Sequence, residues 1–153
     1  MASSDESTGR ILETIRNQRL WKGTAIMLEI KPIQDKNEQK TLCELCGAAY
    51  RPSALAYSAY DNGAPIGICQ FRIANDTGYL YNLCNTAGTD DLEALIIMGR
   101  AALNFIDLCG AHEAYFEGDK TRAAIAVGFR EKGGKLYADL TGMFDSPCKK
   151  HKD

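Results

Sequence analysis

No stretch of this sequence approaches the roughly 20 consecutive apolar residues that a membrane-spanning helix needs. The longest candidate, 94–98, is broken at once by Gly99 and Arg100. No membrane partner is therefore expected. The first nine residues are polar, with Asp5 and Glu6 among serines and a threonine. They lack the apolar segment of a secretory signal, so a cytoplasmic protein is expected. Positive charge is also scarce: 18 Lys and Arg stand against 20 Asp and Glu, a net charge of −2. Without a basic face to displace counterions from phosphates, no nucleic-acid partner is expected. No internal repeat is visible.

Cysteine is present, six times in 153 residues. A disulfide framework belongs to small exported chains that cannot build a core, and this chain is long enough to build one. Cys69, Cys84 and Cys109 lie in apolar segments and are expected to be small buried hydrophobes. Apolar residues make up 45% and charged residues 25% of the chain, as in an ordinary globular domain.

Residues 1–25 stand apart as a flexible or partly helical extension, because their apolar residues, Ile11, Leu12, Ile15, Leu20 and Trp21, share no tight helical face. A domain over 26–145 and a tail over 146–153 complete the organisation. Within the domain, 25–33 reads as a strand ending near Pro32, and 35–46 as a helix stopped by Gly47. Strands over 54–60 and 66–73 flank Asp61-Asn62-Gly63, a strong hairpin signal. After a second turn at Asn75-Asp76-Thr77-Gly78, 79–85 reads as the third strand of the meander. The longest helix spans 90–109, with Thr89 as N-cap, acids in its first turn and Gly110 beyond its end. A strand (113–117), a short helix (120–127) and a last strand (135–140) follow. A meander pairs antiparallel, whereas strand–helix–strand gives a parallel crossover, so an α/β (α+β) domain with a mixed sheet is expected.

This order resembles the GNAT superfamily of N-acetyltransferases over about residues 27–140. Three local details carry the resemblance: Ala64-Pro65-Ile66-Gly67-Ile68 at the third strand, Tyr79–Leu83 before a loop and long helix, and the Gly128-Phe129 pair closing the short helix. The resemblance implies a GNAT-like acyltransferase that moves an acetyl or acyl group from acetyl-CoA or another acyl-CoA to a small-molecule or protein amine. It implies that pantetheine runs beside Leu83, Cys84 and Asn85. The pyrophosphate would lie on the backbone of Gly88, Thr89, Asp90 and Asp91, where a helix start offers free N–H donors.

The sequence departs from the family pattern in two places. The family's phosphate loop carries Arg or Gln and two small residues, whereas here Asn85-Thr86-Ala87-Gly88-Thr89-Asp90 holds one glycine and no cation. Asp90, Asp91 and Glu93 put negative charge where phosphates should land. The family's usual tyrosine acid, four residues before the glycine of the Gly-Phe pair, is replaced by Ala124. These departures suit an alternative: a GNAT-like module without transfer activity that binds a ligand or partner.

Few side chains could carry chemistry. Glu117, at a strand end, is the candidate general base towards an amine. Its alternative is a solvated carboxylate beside the Gly118-Asp119 turn. His112 reads as a surface histidine completing a helix end. Tyr57, Tyr60, Tyr79 and Tyr81 could line a pocket or simply pack with wet hydroxyls. Cys43-Glu44-Leu45-Cys46 is a C-x-x-C and Cys148-Lys149-Lys150-His151 a C-x-x-H. Together they offer four soft ligands of the kind that hold structural zinc, which would clip the tail onto the first helix. Their alternative is a helical cysteine pair and a plain tail.

Overall fold

In the computed structural model, residues 13–21 and 24–144 are described. The chain begins with β1 (Ile15–Trp21) and β2 (Thr24–Pro32), then α1 (Lys36–Cys46), β3 (Leu55–Asp61), β4 (Ala64–Ala74), β5 (Thr77–Leu80) and β6 (Cys84–Asn85). It continues with α2 (Leu92–Leu108), β7 (Glu113–Phe116), α3 (Arg122–Val127), β8 (Arg130–Lys132) and β9 (Lys135–Asp139). Among the described residues the strands form one mixed sheet in the order β1-β2-β3-β4-β5-β7-β9-β8, with β6 on β4. Among the described residues only β5 and β7 pair in parallel, through the α2 crossover.

The extension expected over residues 1–25 is corrected where it is described. Ile15–Trp21 is not helical but pairs antiparallel with β2, from Ile15↔Ile30 to Trp21↔Thr24. Apolar residues without a common helical face gain more from a pleated ladder, and the cross-strand pair Arg16 Nε–Glu29 Oε2 (2.7 Å) supports the register. The tail over 146–153 lies outside the described residues.

Both hairpin turns have the backbone their residues favour. Asn62 (φ 51°) and Gly63 (φ 87°) turn β3 into β4, and Asn75 (φ 53°) with Asp76 (φ 62°) turns β4 into β5. Asn and Asp tolerate this left-handed region better than other non-glycine residues. Helix α1 starts where Asp35 accepts from Asn37 N and ends at Gly47 in the left-handed conformation. Helix α2 begins at Leu92, capped by Asp91 and not by Thr89. The strand β8 was not anticipated. It pairs with β9 across Gly133 and Gly134, both of positive φ.

The sheet separates two apolar layers. On one face α2 and α3 bury Leu28, Ile30, Phe71, Leu80, Met98, Leu103, Ile106 and Phe129 among others. On the other face α1 covers a smaller cluster of Ile33, Leu42, Cys43, Ala56 and Ile68. Tyr57 belongs to the first layer, where it stacks on Phe71. Beyond α1 no helix among the described residues covers that second face over β5, β7 and β9, which carries Tyr79, Tyr115 and Tyr137 in a contacting row.

The strand expected over 79–85 is in fact interrupted. Tyr81 N still donates to Gln70 O (2.8 Å), but the ladder then slips, and β6 resumes at Cys84↔Ile68. At the slip Gln70 N donates to the side chain of Asn82, Oδ1 at 2.8 Å. Gln70 is fully buried, so an unpartnered N–H there would be costly. Asn82→Ala is expected to cost about 1–3 kcal/mol of stability, the penalty of an orphaned buried donor. Asn82→Asp, which keeps an acceptor, is expected to lose less. Urea unfolding checks both, and equal stability of Asn82→Ala and wild type would refute this role.

Candidate functional site

The slip in the ladder opens the sheet. β5 and β7 stay paired as far as Leu80↔Phe116, and Glu117 N donates to Leu80 O at 2.7 Å. Beyond that point 82–85 follows β4, held by Gly67↔Asn85 and Ile68↔Cys84, while the other chain turns away at Gly118. The far edge of β6 is thus left without a strand neighbour among the described residues. Leu83, Cys84 and Asn85 are half-buried along it. Behind them α2 passes at very close range. A Cβ on Gly99 would lie 2.6 Å from Val127 Cγ2 and 3.2 Å from Leu83 Cδ2, so only glycine lets α2, α3 and Leu83 converge.

The loop that follows is tied down internally. Thr86 N donates to Ile66 O, Ala87 N to Leu45 O and Thr89 N to Thr86 O. Asn85 spans the gap, with Nδ2 on Ile66 O and Oδ1 accepting from Asp91 N, both at 3.0 Å. Gly88 has φ 85° and open space about its Cα, as a tight turn requires. At the helix start Asp91 Oδ1 accepts from Ala94 N at 3.1 Å. A carboxylate of the chain itself therefore occupies a donor that a bound anion would use.

Between the start of α2 and α3 lies a groove of about 510 Å³, lined by Leu92, Lys120, Thr121, Arg122, Ile125 and Ala126. Its floor is apolar and its rim carries two cations. No carboxylate lines it. Ala124, where the family's tyrosine acid would stand, is fully buried in the core.

On the other side of the opening, Glu117 is exposed and shares a smaller hollow of about 380 Å³ with Tyr115, Asp119, Lys120, Glu131 and Lys135. His112 is exposed and bonds the last turn of α2 through Asp107, Nδ1 to Oδ1 at 2.6 Å, as a helix-end histidine should. Tyr60 is bonded to Glu38 through its hydroxyl at 2.7 Å. Tyr57 is buried in the core, and Arg51 stacks on the ring of Tyr81. Sequence reasoning passed over Arg51, Asn82, Lys120 and Arg122. The Asn82 signal is a carboxamide directly after a strand pattern; the others carry no local mark.

Among the described residues the zinc expectation finds no support. No group of three or more potential ligands comes together among the described residues, and Cys148 and His151 lie outside them. Cys43 is 1% exposed and packs in the apolar layer under α1. Cys46 is half-buried, its Sγ 3.7 Å from Cys84 O. Among the other cysteines, Cys69 is fully buried as expected, Cys84 is half-buried and Cys109 is exposed at the end of α2.

Compared with known proteins, the chain matches no family model. No curated protein matches it by sequence. Solved structures do match. An IAA acetyltransferase from Bacillus cereus is similar at a TM-score of 0.58 and 17% identity, over 74% of this chain and 99% of that one. The PaiA N-acetyltransferase from Thermoplasma acidophilum, solved in complex with coenzyme A, is similar at 0.53 and 12%, over 72% and 98%. At these identities the likeness is one of fold. The chain has a GNAT-like fold: a mixed sheet, a meander, the long crossover helix and the parted strands.

Burial, with neighbouring thiols adding to it, lifts Cys43 to about 11 and Cys46 to about 12 from an ordinary 9.0. A raised pKa in the folded state stabilises fully below the ordinary value and is lost as pH rises towards the folded value. These thiols should therefore leave stability unchanged below about pH 9 and erode it between about 9 and 12. Urea unfolding at a series of alkaline pH values, with reductant present, measures this. The double variant Cys43→Ala with Cys46→Ala should show a shallower decline than wild type, and an identical decline would contradict the assignment.

Proposed function

We propose that this chain is an acyltransferase that moves an acyl group from a coenzyme A thioester to an amine. The observation that carries the reading is the parting of β6 from β7 beyond Leu80 and Phe116. A half-buried strand edge without a neighbour has backbone groups to satisfy. Pantetheine carries amides along an extended chain and can bond to such an edge as another strand would. Leu83, Cys84 and Asn85 form that edge. One structural neighbour was solved with coenzyme A, which supports the same ligand here.

The donor set fits one part of the ligand better than the other. The strand edge suits pantetheine. The first turn of α2 suits a pyrophosphate poorly, because Asp91 already holds Ala94 N and adds negative charge. The phosphates are left to Lys120 and Arg122 on the rim of the adjacent groove. The thioester supplies an activated acyl carbon. Glu117, at the opening and in water, accepts the proton that the amine must lose as its nitrogen bonds to that carbon. With Ala124 in the tyrosine's place, the proton for the departing thiolate comes from water.

A second reading is favoured by one specific observation, the Asp91 carboxylate on Ala94 N. It fits a GNAT-like module that binds a ligand or partner and transfers nothing. The two readings separate at Asp91. Asn caps a helix about as well as Asp, so Asp91→Asn keeps the cap and removes the charge. Under the first reading coenzyme A raises the melting temperature of the wild type. Asp91→Asn should then tighten its binding about two- to fivefold, from roughly 0.3–1 kcal/mol at a helix start. Calorimetry at low salt checks both. No binding by either protein would leave the second reading in place.

A further inference from the structure

At the parting of the strands stands an arginine whose guanidinium makes no side-chain hydrogen bond among the described residues. Arg51 lies in the connection between α1 and β3. Its backbone is fixed from below: Arg51 N donates to Gln70 Oε1 at 2.9 Å, and Arg51 O accepts from Gln39 Nε2 at 3.1 Å. Gln39 and Gln70 are both fully buried and bond each other at 2.9 Å, and Gln70 Nε2 also holds Ala49 O at 2.8 Å. Two buried carboxamides are thus spent on holding a surface residue's main chain.

Above this anchor the Arg51 guanidinium stacks on Tyr81, 3.9 Å from the ring centroid. Stacking fixes the plane of the group and leaves its in-plane N–H donors free for a planar acceptor. Among the described residues no carboxylate pairs with it. Tyr81 and Glu117 follow the last β5–β7 pair, Leu80↔Phe116, by one step. Strand alternation puts their side chains on the same face as Tyr79 and Tyr115. Tyr81 thus carries Arg51 on its ring and shares its face of the sheet with Glu117, one strand over.

We propose that Arg51, Tyr81 and Glu117 form the acceptor site, and that the acceptor is a free amino acid or a closely related amino acid-type zwitterion. Its carboxylate takes the Arg51 fork, its amine points to Glu117, and its side chain lies along Tyr81. The assignment of the amine rests on the acyltransferase reading; the recognition of the carboxylate does not. An acceptor with an amine but no acid leaves the guanidinium without a partner, and a second carboxylate near Glu117 is repelled.

The test uses the whole protein and the free amino acids, titrated one at a time, each binder then being compared with its own amide. The readouts are the Arg51 Nε–Hε resonance and calorimetry. The expected result is that at least one free amino acid shifts this resonance and that its amide binds more weakly by about tenfold or more, the worth of a charge-assisted hydrogen bond. Arg51→Met, which keeps the stem, should abolish the preference for acid over amide without changing coenzyme A binding, and Arg51→Lys should restore part of it. Equal binding of acid and amide, no shift with any amino acid at tens of millimolar, or an unchanged preference in Arg51→Met overturns the proposal. Failure of the acyltransferase reading looks different: the amino acid binds through Arg51, yet acetyl-CoA yields no free thiol in its presence.

Discussion

One hydrogen bond decides where this sheet opens, the one from Gln70 N to Asn82 Oδ1. Up to Tyr81 the meander is an ordinary ladder, and after Cys84 it is a ladder again. Between them the register slips, and a buried N–H is left without a backbone carbonyl. Asn82 supplies the missing acceptor from a side chain, so the slip is tolerated in a fully buried setting. The chain can then swing with β4 away from β7. On the other side β7 ends at Phe116 and the backbone bends at Gly118, so the two segments part. The same Gln70 turns its side chain the other way, to Gln39, Ala49 and Arg51, and fastens the connection after α1 above the opening. One residue thus couples the gap to one of its walls.

The start of α2 shows two requirements competing for the same atoms. A helix needs its first N–H groups satisfied, and an anion site needs them free. Here the chain satisfies them itself: Asn85 takes Asp91 N, and Asp91 takes Ala94 N. That makes a well-capped helix and a poor phosphate cradle. Lys120 and Arg122 lie across the groove from this start. Positive charge absent from the loop is present two elements later, on the rim of the adjoining groove.

The order of elements was legible because each rests on a local signal. Asn62-Gly63 and Asn75-Asp76 dictate turns through backbone freedom, Gly47 and Gly110 stop helices, and the apolar spacing of α2 is unmistakable. β1 was misread because Ile15, Leu20 and Trp21 define no helical face, and strand pairing at an edge depends on a partner the local text does not name. The break at Tyr81–Leu83 was missed for a similar reason. Nothing in Tyr79-Leu80-Tyr81-Asn82-Leu83 distinguishes a strand that continues from one that changes neighbours. The expectation at Leu83–Asn85 came from resemblance to a fold, and that at Glu117 from a carboxylate at a strand end. Arg51 was out of reach, since its role comes from Gln39 and Gln70, 12 and 19 positions away.

The central claim is that the gap between β6 and β7 receives the pantetheine arm of a coenzyme A thioester. Backbone amide spectra of the isotopically labelled protein, recorded during titration with acetyl-CoA at low salt, test it most directly. The account predicts saturable shifts of the Leu83, Cys84 and Asn85 amides and of Gly118 across the gap, with smaller shifts at Lys120 and Arg122. Spectra in which these amides do not move, or in which shifts map only to the Tyr79–Tyr115–Tyr137 face, would contradict it.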